Sequence, residues 1–93
     1  MVHFKDFHVK PKSQMPPDGW FATPTSIALR GAILGHGDID IPAQLRILKK
    51  AGYNGYLSLE FEGIEEPTFA VKSGLKYLRT ELKNLRGLYG YSV

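Results

Sequence analysis

Two stretches of this chain alternate apolar and polar residues, and the helix-length segment between them dictates how they can pair. In residues 2–6 Val2, Phe4 and Asp6 point one way while His3 and Lys5 point the other. In residues 56–62 Leu57, Leu59 and Phe61 form one face, and Tyr56, Ser58, Glu60 and Glu62 form the opposite one. A helical pattern precedes the second strand and another follows it. Strands joined through a helical crossover pair in parallel, with the helices covering one face of the sheet.

The first helix is expected at about 42–51. Asp38 or Asp40 can cap it, Pro42 suits its first turn, and Gly52 can close it in a left-handed conformation. Leu45, Leu48 and Ala51 supply its buried stripe. The second runs from about Pro67 to Leu85, where Val71, Leu75, Leu78, Leu82 and Leu85 repeat at helical spacing. Lys72, Lys76, Arg79, Lys83 and Arg86 follow one step round the helix and read as a solvated outer face rather than a nucleic-acid surface. From Phe7 to about Asp38 no period holds, so a long loop is expected there, and MPPDGWFATPTS carries its turn residues. Trp20 and Phe21 within it either wall a ligand or anchor the loop. The tail GLYGYSV has no period and is expected to pack loosely.

The order is strand, long loop, helix, strand, helix. Both strands carry polar groups on the face away from the helices, as strands of a barrel do near its catalytic mouth. Two strands do not close a barrel, so the pattern is that of a piece of one. Ninety-three residues suit one small domain with a modest core. The absence of cysteine excludes disulfides and thiolate metal sites and fits a reducing cytoplasm. No apolar run approaches the roughly 18 residues of a membrane span, and no secretory signal is visible. A net charge of +3 and a pI near 9.3 are compatible with anionic ligands without selecting them.

The chemistry-bearing groups sit on the polar faces. His3 and Glu60 occupy equivalent places on strands expected about 4.8 Å apart, so both can reach one divalent ion. Lys5 shares the face of His3 and can neutralise a substrate oxygen or pair with a nearby carboxylate. Arg30 can clamp a carboxylate or phosphate, or lie exposed. Gly35 and Gly37 suit a tight turn that can receive an anion ahead of a helix. His8 and His36 read as solvent groups outside the metal set, and no serine stands in a nucleophile-elbow context.

Together VHFKD, RGAILGHGDIDIPAQLRILKKAGYNGYLSLEFE and EEPTFAVKSGLKYLR resemble the C-terminal part of the xylose-isomerase-like sugar phosphate isomerase/epimerase family. The motifs are a strand with His-x-Lys-Asp, a Gly-x-Gly-x-Ile-Asp turn, a helix, Gly-Tyr-x-Gly, a strand ending in Glu and a Leu-striped helix. The resemblance implies the last two βα units of a (β/α)8 TIM barrel. It implies one divalent ion (Mn, Mg, Co or Zn) held by two Glu, one Asp and one His. The family histidine falls on His3, the last glutamate on Glu60 and a substrate-contacting arginine approximately on Arg30. The implied reaction moves a proton beside a carbonyl, through an enediolate, with Glu60 as one of two acid–base glutamates.

The other Glu and the Asp belong to earlier strands of the family barrel. The chain, residues 1–93, is therefore expected to be a C-terminal fragment, inactive alone, that self-associates or joins a complementing barrel segment. The alternatives are a non-catalytic oligomerising remnant and a fragment of a related abasic-site endonuclease. The substrate class is a sugar or sugar phosphate; no membrane partner is expected, and nucleic acid is not favoured.

Overall fold

The computed structural model describes the backbone of residues 1–89 and the side chains of residues 1–85. β1 (Val2–Phe4) and β5 (Leu57–Leu59) form a two-stranded parallel sheet in which Val2, His3 and Phe4 face Leu57, Ser58 and Leu59. Between them the chain passes through α1 (Ile41–Lys50), and β5 is followed by α2 (Pro67–Tyr89). The alternation read from the sequence produces this layering. Phe4 turns inward against Leu34, Ile41, Leu45 and Leu78, and Leu57 and Leu59 pack on that cluster. His3, Ser58 and Glu60 are left on the other face.

The long loop expected over residues 7–38 is instead a second sheet. β2 (Asp6–Pro11), β3 (Phe21–Ala22) and β4 (Ile27–Ala32) pair antiparallel in the order β2-β4-β3, with His8 opposite Arg30 and Phe21 opposite Leu29. A 3-10 turn at Lys12–Gln14 leads out of β2. The sequence concealed this arm because the fully buried positions of β4 are small residues. Ala28 and Ala32 are fully buried, yet neither adds to a hydropathy period. The arm is tied to the segment after β5 by a bridge between Gly31 and Gly63. A side chain at Gly31 would strike the Glu62 carbonyl and come within 2.8 Å of the Gly63 nitrogen.

α1 begins one residue earlier than the sequence suggests. Asp40 caps it by accepting from the Ala43 N–H at 3.0 Å, and Pro42 lies in its first turn. Asp38 does not cap. It lines the outer edge of β2, accepting the Val9 N–H at 2.7 Å while its own N–H donates to the Phe7 carbonyl. The helix closes on Gly52 at φ +74°, with Gly52 N–H donating to Lys49 and Tyr53 N–H to Leu48, the two bonds of a Schellman end. Its buried contacts are Ile41 and Leu45; Ala51, expected in the stripe, is exposed.

The buried line of α2 also differs from the expected one. Ala70, Gly74 and Leu78 are buried, Leu75, Leu82 and Leu85 are half-buried, and Val71 lies at the exposed margin. Small residues let this helix approach closely, since a Cβ at Gly74 would lie 2.7 Å from Leu59 and 3.2 Å from Leu34. Lys72, Lys76, Arg79 and Lys83 are exposed, as a solvated face requires. The helix continues to Tyr89; the remainder of the aperiodic tail lies outside the described residues. No helix among the described residues is long and apolar enough to cross a membrane.

Candidate metal and substrate site

The polar face of the parallel sheet brings the two strands' functional side chains into contact. Glu60 stands one step beyond β5, its backbone N–H still donating to the Phe4 carbonyl at 2.9 Å, so it projects on the same face as Ser58. Ser58 is the register partner of His3. The diagonal brings His3 Nδ1 to 2.9 Å from Glu60 Oε1, with the two side chains about half exposed at 54% and 42%. Adjacent ligands at 2.0–2.2 Å around one ion stand about 3 Å apart, so this spacing suits a shared divalent cation. One imidazole and one carboxylate are also the right donors for Zn or Mn. Two donors are too few to complete a site. Among the described residues no group of three or more His, Cys, Asp and Glu side chains can hold a metal ion.

Lys5 stands beside the pair. Its ammonium lies 2.6 Å from Glu62 Oε1 and 3.7 Å from Glu60 Oε2. The hydrogen bond to Glu62 raises its pKa above the ordinary 10.5; partial desolvation opposes this, and the charges of Glu62 and Glu60 add to it. The same ammonium sits 5.9 Å from the centre of the Phe7 ring, which meets Phe21 edge-on at 6.4 Å. Trp20, paired with Phe21 in the sequence reading, lies apart from that contact and holds the Lys10 ammonium over its ring at 6.0 Å.

Arg30 projects from β4 and donates from Nη2 to Glu65 Oε2 at 2.9 Å, both side chains being largely covered. Its partner is thus Glu65, not a member of the His3–Glu60 cluster. Arg30 Nε, Glu65 Oε1 and the neighbouring His8 Nε2 are buried without hydrogen-bond partners. His36 lies exposed in its turn.

The least expected site residue is Asp6. The sequence places it on the core side of its strand, and it is only 1% exposed. A carboxylate there must be fully hydrogen-bonded, and that requirement was the signal available in the sequence. Oδ1 accepts from Phe7 N–H at 2.8 Å and Ile39 N–H at 3.2 Å; Oδ2 accepts from Gly35 N–H at 2.9 Å and Gly37 N–H at 3.1 Å. The glycine turn is therefore an anion cradle whose anion is the chain's own. Gly37 is required by closeness, since a Cβ would lie 2.7 Å from Asp6 Cγ. Gly35, at φ +93°, lies against the Tyr77 ring. Burial raises the Tyr77 pKa above 10.0, and the charges of Glu81, Asp6 and Asp40 add to the effect.

Glu66 treats the start of α2 in the same way. Its carboxylate accepts from Thr68 N–H at 2.9 Å and Phe69 N–H at 2.7 Å. Those backbone bonds, Phe69's first, hold its pKa below the ordinary 4.5.

Comparison with known proteins finds one correspondence. A family model described as xylose isomerase-like TIM barrel matches residues 1–81, from β1 into the fourth turn of α2. No curated protein and no solved structure matches the chain.

Proposed function

Since the chain belongs to the xylose isomerase-like TIM-barrel family, we propose that β1–α1 and β5–α2 are the last two βα units of such a barrel. Their polar face then contributes to a divalent-metal-dependent sugar or sugar-phosphate isomerase/epimerase. The observation that carries the reading is the 2.9 Å approach of His3 and Glu60 on parallel neighbouring strands, on the face opposite the helices. Catalytic groups of these barrels come from the carboxyl ends of different strands.

In this reading His3 and Glu60 hold Mn, Mg, Co or Zn together with donors from other parts of the barrel. The bound ion supplies Lewis-acid stabilisation for negative charge developing on a substrate oxygen. Glu60 carries the proton to or from the carbon beside the carbonyl, and its half-exposed carboxylate is reachable by a substrate. Lys5 steadies Glu60 and Glu62 and offers positive charge to the reacting oxygen. Arg30, on β4 of the antiparallel sheet, is the candidate substrate contact, and that role requires exchange of its bond to Glu65. The glutamates after β5 disfavour a nucleic-acid backbone there.

The two open edges of the parallel sheet favour association, either with a second copy or with a complementing barrel segment. The chain by itself is then inactive. The test is Mn²⁺ titration with simultaneous measurement of solution mass, on the wild type and on Glu60→Gln. An assembled species that binds the ion and loses it on Glu60→Gln supports the reading. A monomer without bound ion, or unchanged metal content in the variant, sinks it.

A further inference from the structure

The cation that stands closest to the His3–Glu60 pair belongs to the chain itself. Glu60 meets His3 Nδ1 through Oε1 at 2.9 Å, and its other oxygen, Oε2, lies 3.7 Å from Lys5 Nζ. An ammonium settled on that carboxylate competes with a divalent ion for the same oxygens and repels it. A lysine beside a metal-binding glutamate therefore needs something to hold it away.

Glu62 is placed to do so. Its Oε1 accepts from Lys5 Nζ at 2.6 Å, much nearer than Glu60. The lysine side chain is 30% exposed, and its ammonium stands 5.9 Å from the centre of the Phe7 ring. Glu60 is the other carboxylate within 4.0 Å of Lys5 among the described residues, so a lysine released by Glu62 has Glu60 as its next anion. Glu62 is not itself placed as a third donor, because among the described residues no three His, Asp or Glu side chains are arranged to hold an ion. Its influence on the ion thus passes through Lys5.

We infer that Glu62 is a positioning residue of this site: it holds Lys5 off Glu60 and keeps the Glu60 carboxylate open to a divalent cation. The cation rests on the metal-dependent reading above; the holding of Lys5 rests on the distances alone. Kept on Glu62, the same ammonium remains at the margin of the site, where its charge is available to a substrate oxygen. An exposed ion pair changes the fraction of Glu60 left open only modestly, so loss of Glu62 is expected to weaken ion binding about three- to fivefold.

The test is a double-mutant cycle on the full chain with Glu62→Gln, Lys5→Met and both together. Mn²⁺ binding is read by electron paramagnetic resonance, and the Lys5 ammonium by NMR without metal. Glu62→Gln should move the ammonium's contacts from the side chain of residue 62 to that of Glu60, and weaken Mn²⁺ about three- to fivefold. With Lys5 already replaced by Met, the same Glu62→Gln change should alter Mn²⁺ affinity by less than about 1.5-fold. An ammonium that stays where it was in Glu62→Gln overturns the inference. So does an equal loss of Mn²⁺ affinity in both backgrounds, which would make Glu62 act on the ion by its own charge or as a ligand. If none of the four proteins binds Mn²⁺, the metal-dependent reading fails, and a Lys5 that moves to Glu60 in Glu62→Gln still upholds the holding role of Glu62.

Discussion

Replacing Asp6 by asparagine changes one atom, and the structure leaves the amide no acceptable orientation. Each carboxylate oxygen accepts two backbone N–H groups, Phe7 and Ile39 on Oδ1, Gly35 and Gly37 on Oδ2. Whichever way the amide turns, its NH₂ faces two donors. Two charge-assisted bonds worth about 1.5–3 kcal/mol each are lost, and the surviving pair is weakened by loss of the charge. Relaxation of the turn and water entry return part of this, so the expected loss is about 3–5 kcal/mol. Chains of this size are stable by roughly 5–14 kcal/mol, so the variant should be visibly compromised. Urea unfolding followed by circular dichroism reads the change as a shift of midpoint. Asp38→Asn is the control: its carboxylate accepts from Val9 alone in an exposed position, and the cost should stay below about 1 kcal/mol. An Asp6→Asn midpoint within about 1 kcal/mol of wild type, or one matched by Asp38→Asn, refutes the account of the cradle.

Gly31→Ala drives a methyl into the Glu62 carbonyl, which is backbone and yields little, so the arm should part from the segment after β5. A cost of about 1–3 kcal/mol is expected, with loss of the Lys5–Glu62 contact in NMR spectra. Gly35→Ala combines an unfavourable φ of +93° with a Cβ 2.5 Å from the Tyr77 ring. Displacing the ring toward water should bring the raised Tyr77 pKa back toward 10.0, read by ultraviolet titration. Glu66 has a folded pKa below its unfolded value of about 4.5, so its contribution is present above that pH and is lost as pH falls through the lowered folded value. Protection of the Thr68 and Phe69 amides, taken relative to their intrinsic exchange rate at each pH, should therefore fall in that acid window, and Glu66→Ala should abolish that change.

What the sequence disclosed was what repeats locally. The alternation of Val2, Phe4, Leu57 and Leu59 against His3, Ser58 and Glu60 marked both parallel strands and put His3 and Glu60 on one face, because a period of two assigns a side to every residue. The Asp40, Pro42 and Gly52 boundaries of α1 were legible for the same reason, since each acts on its own few neighbours. The antiparallel arm was not legible. The apolar positions shift phase after Lys5, from Val2 and Phe4 to Phe7 and Val9, which breaks the period where the pairing partner changes from β5 to β4. In β4 close packing rests on Ala28, Gly31 and Ala32, whose small size leaves no hydropathy mark. The carboxylate cradle and the Arg30–Glu65 pair were equally hidden, because their partners stand 29–35 positions apart and no local rule joins them.

The distance in sequence between the two halves of the site has a kinetic consequence. The hairpin of β3 and β4 and the turns of α1 close short loops, whereas Lys5 and Glu62 meet across 57 positions. Contacts of that span require closure of most of the chain before they gain anything, so they belong to the late stage of folding. The pairing of β1 with β5, three residues long on each side, is then expected to open first when the chain fluctuates. An ion held between His3 and Glu60 would join those two strands directly, and slower amide exchange in β1 would report its binding even where no substrate is turned over.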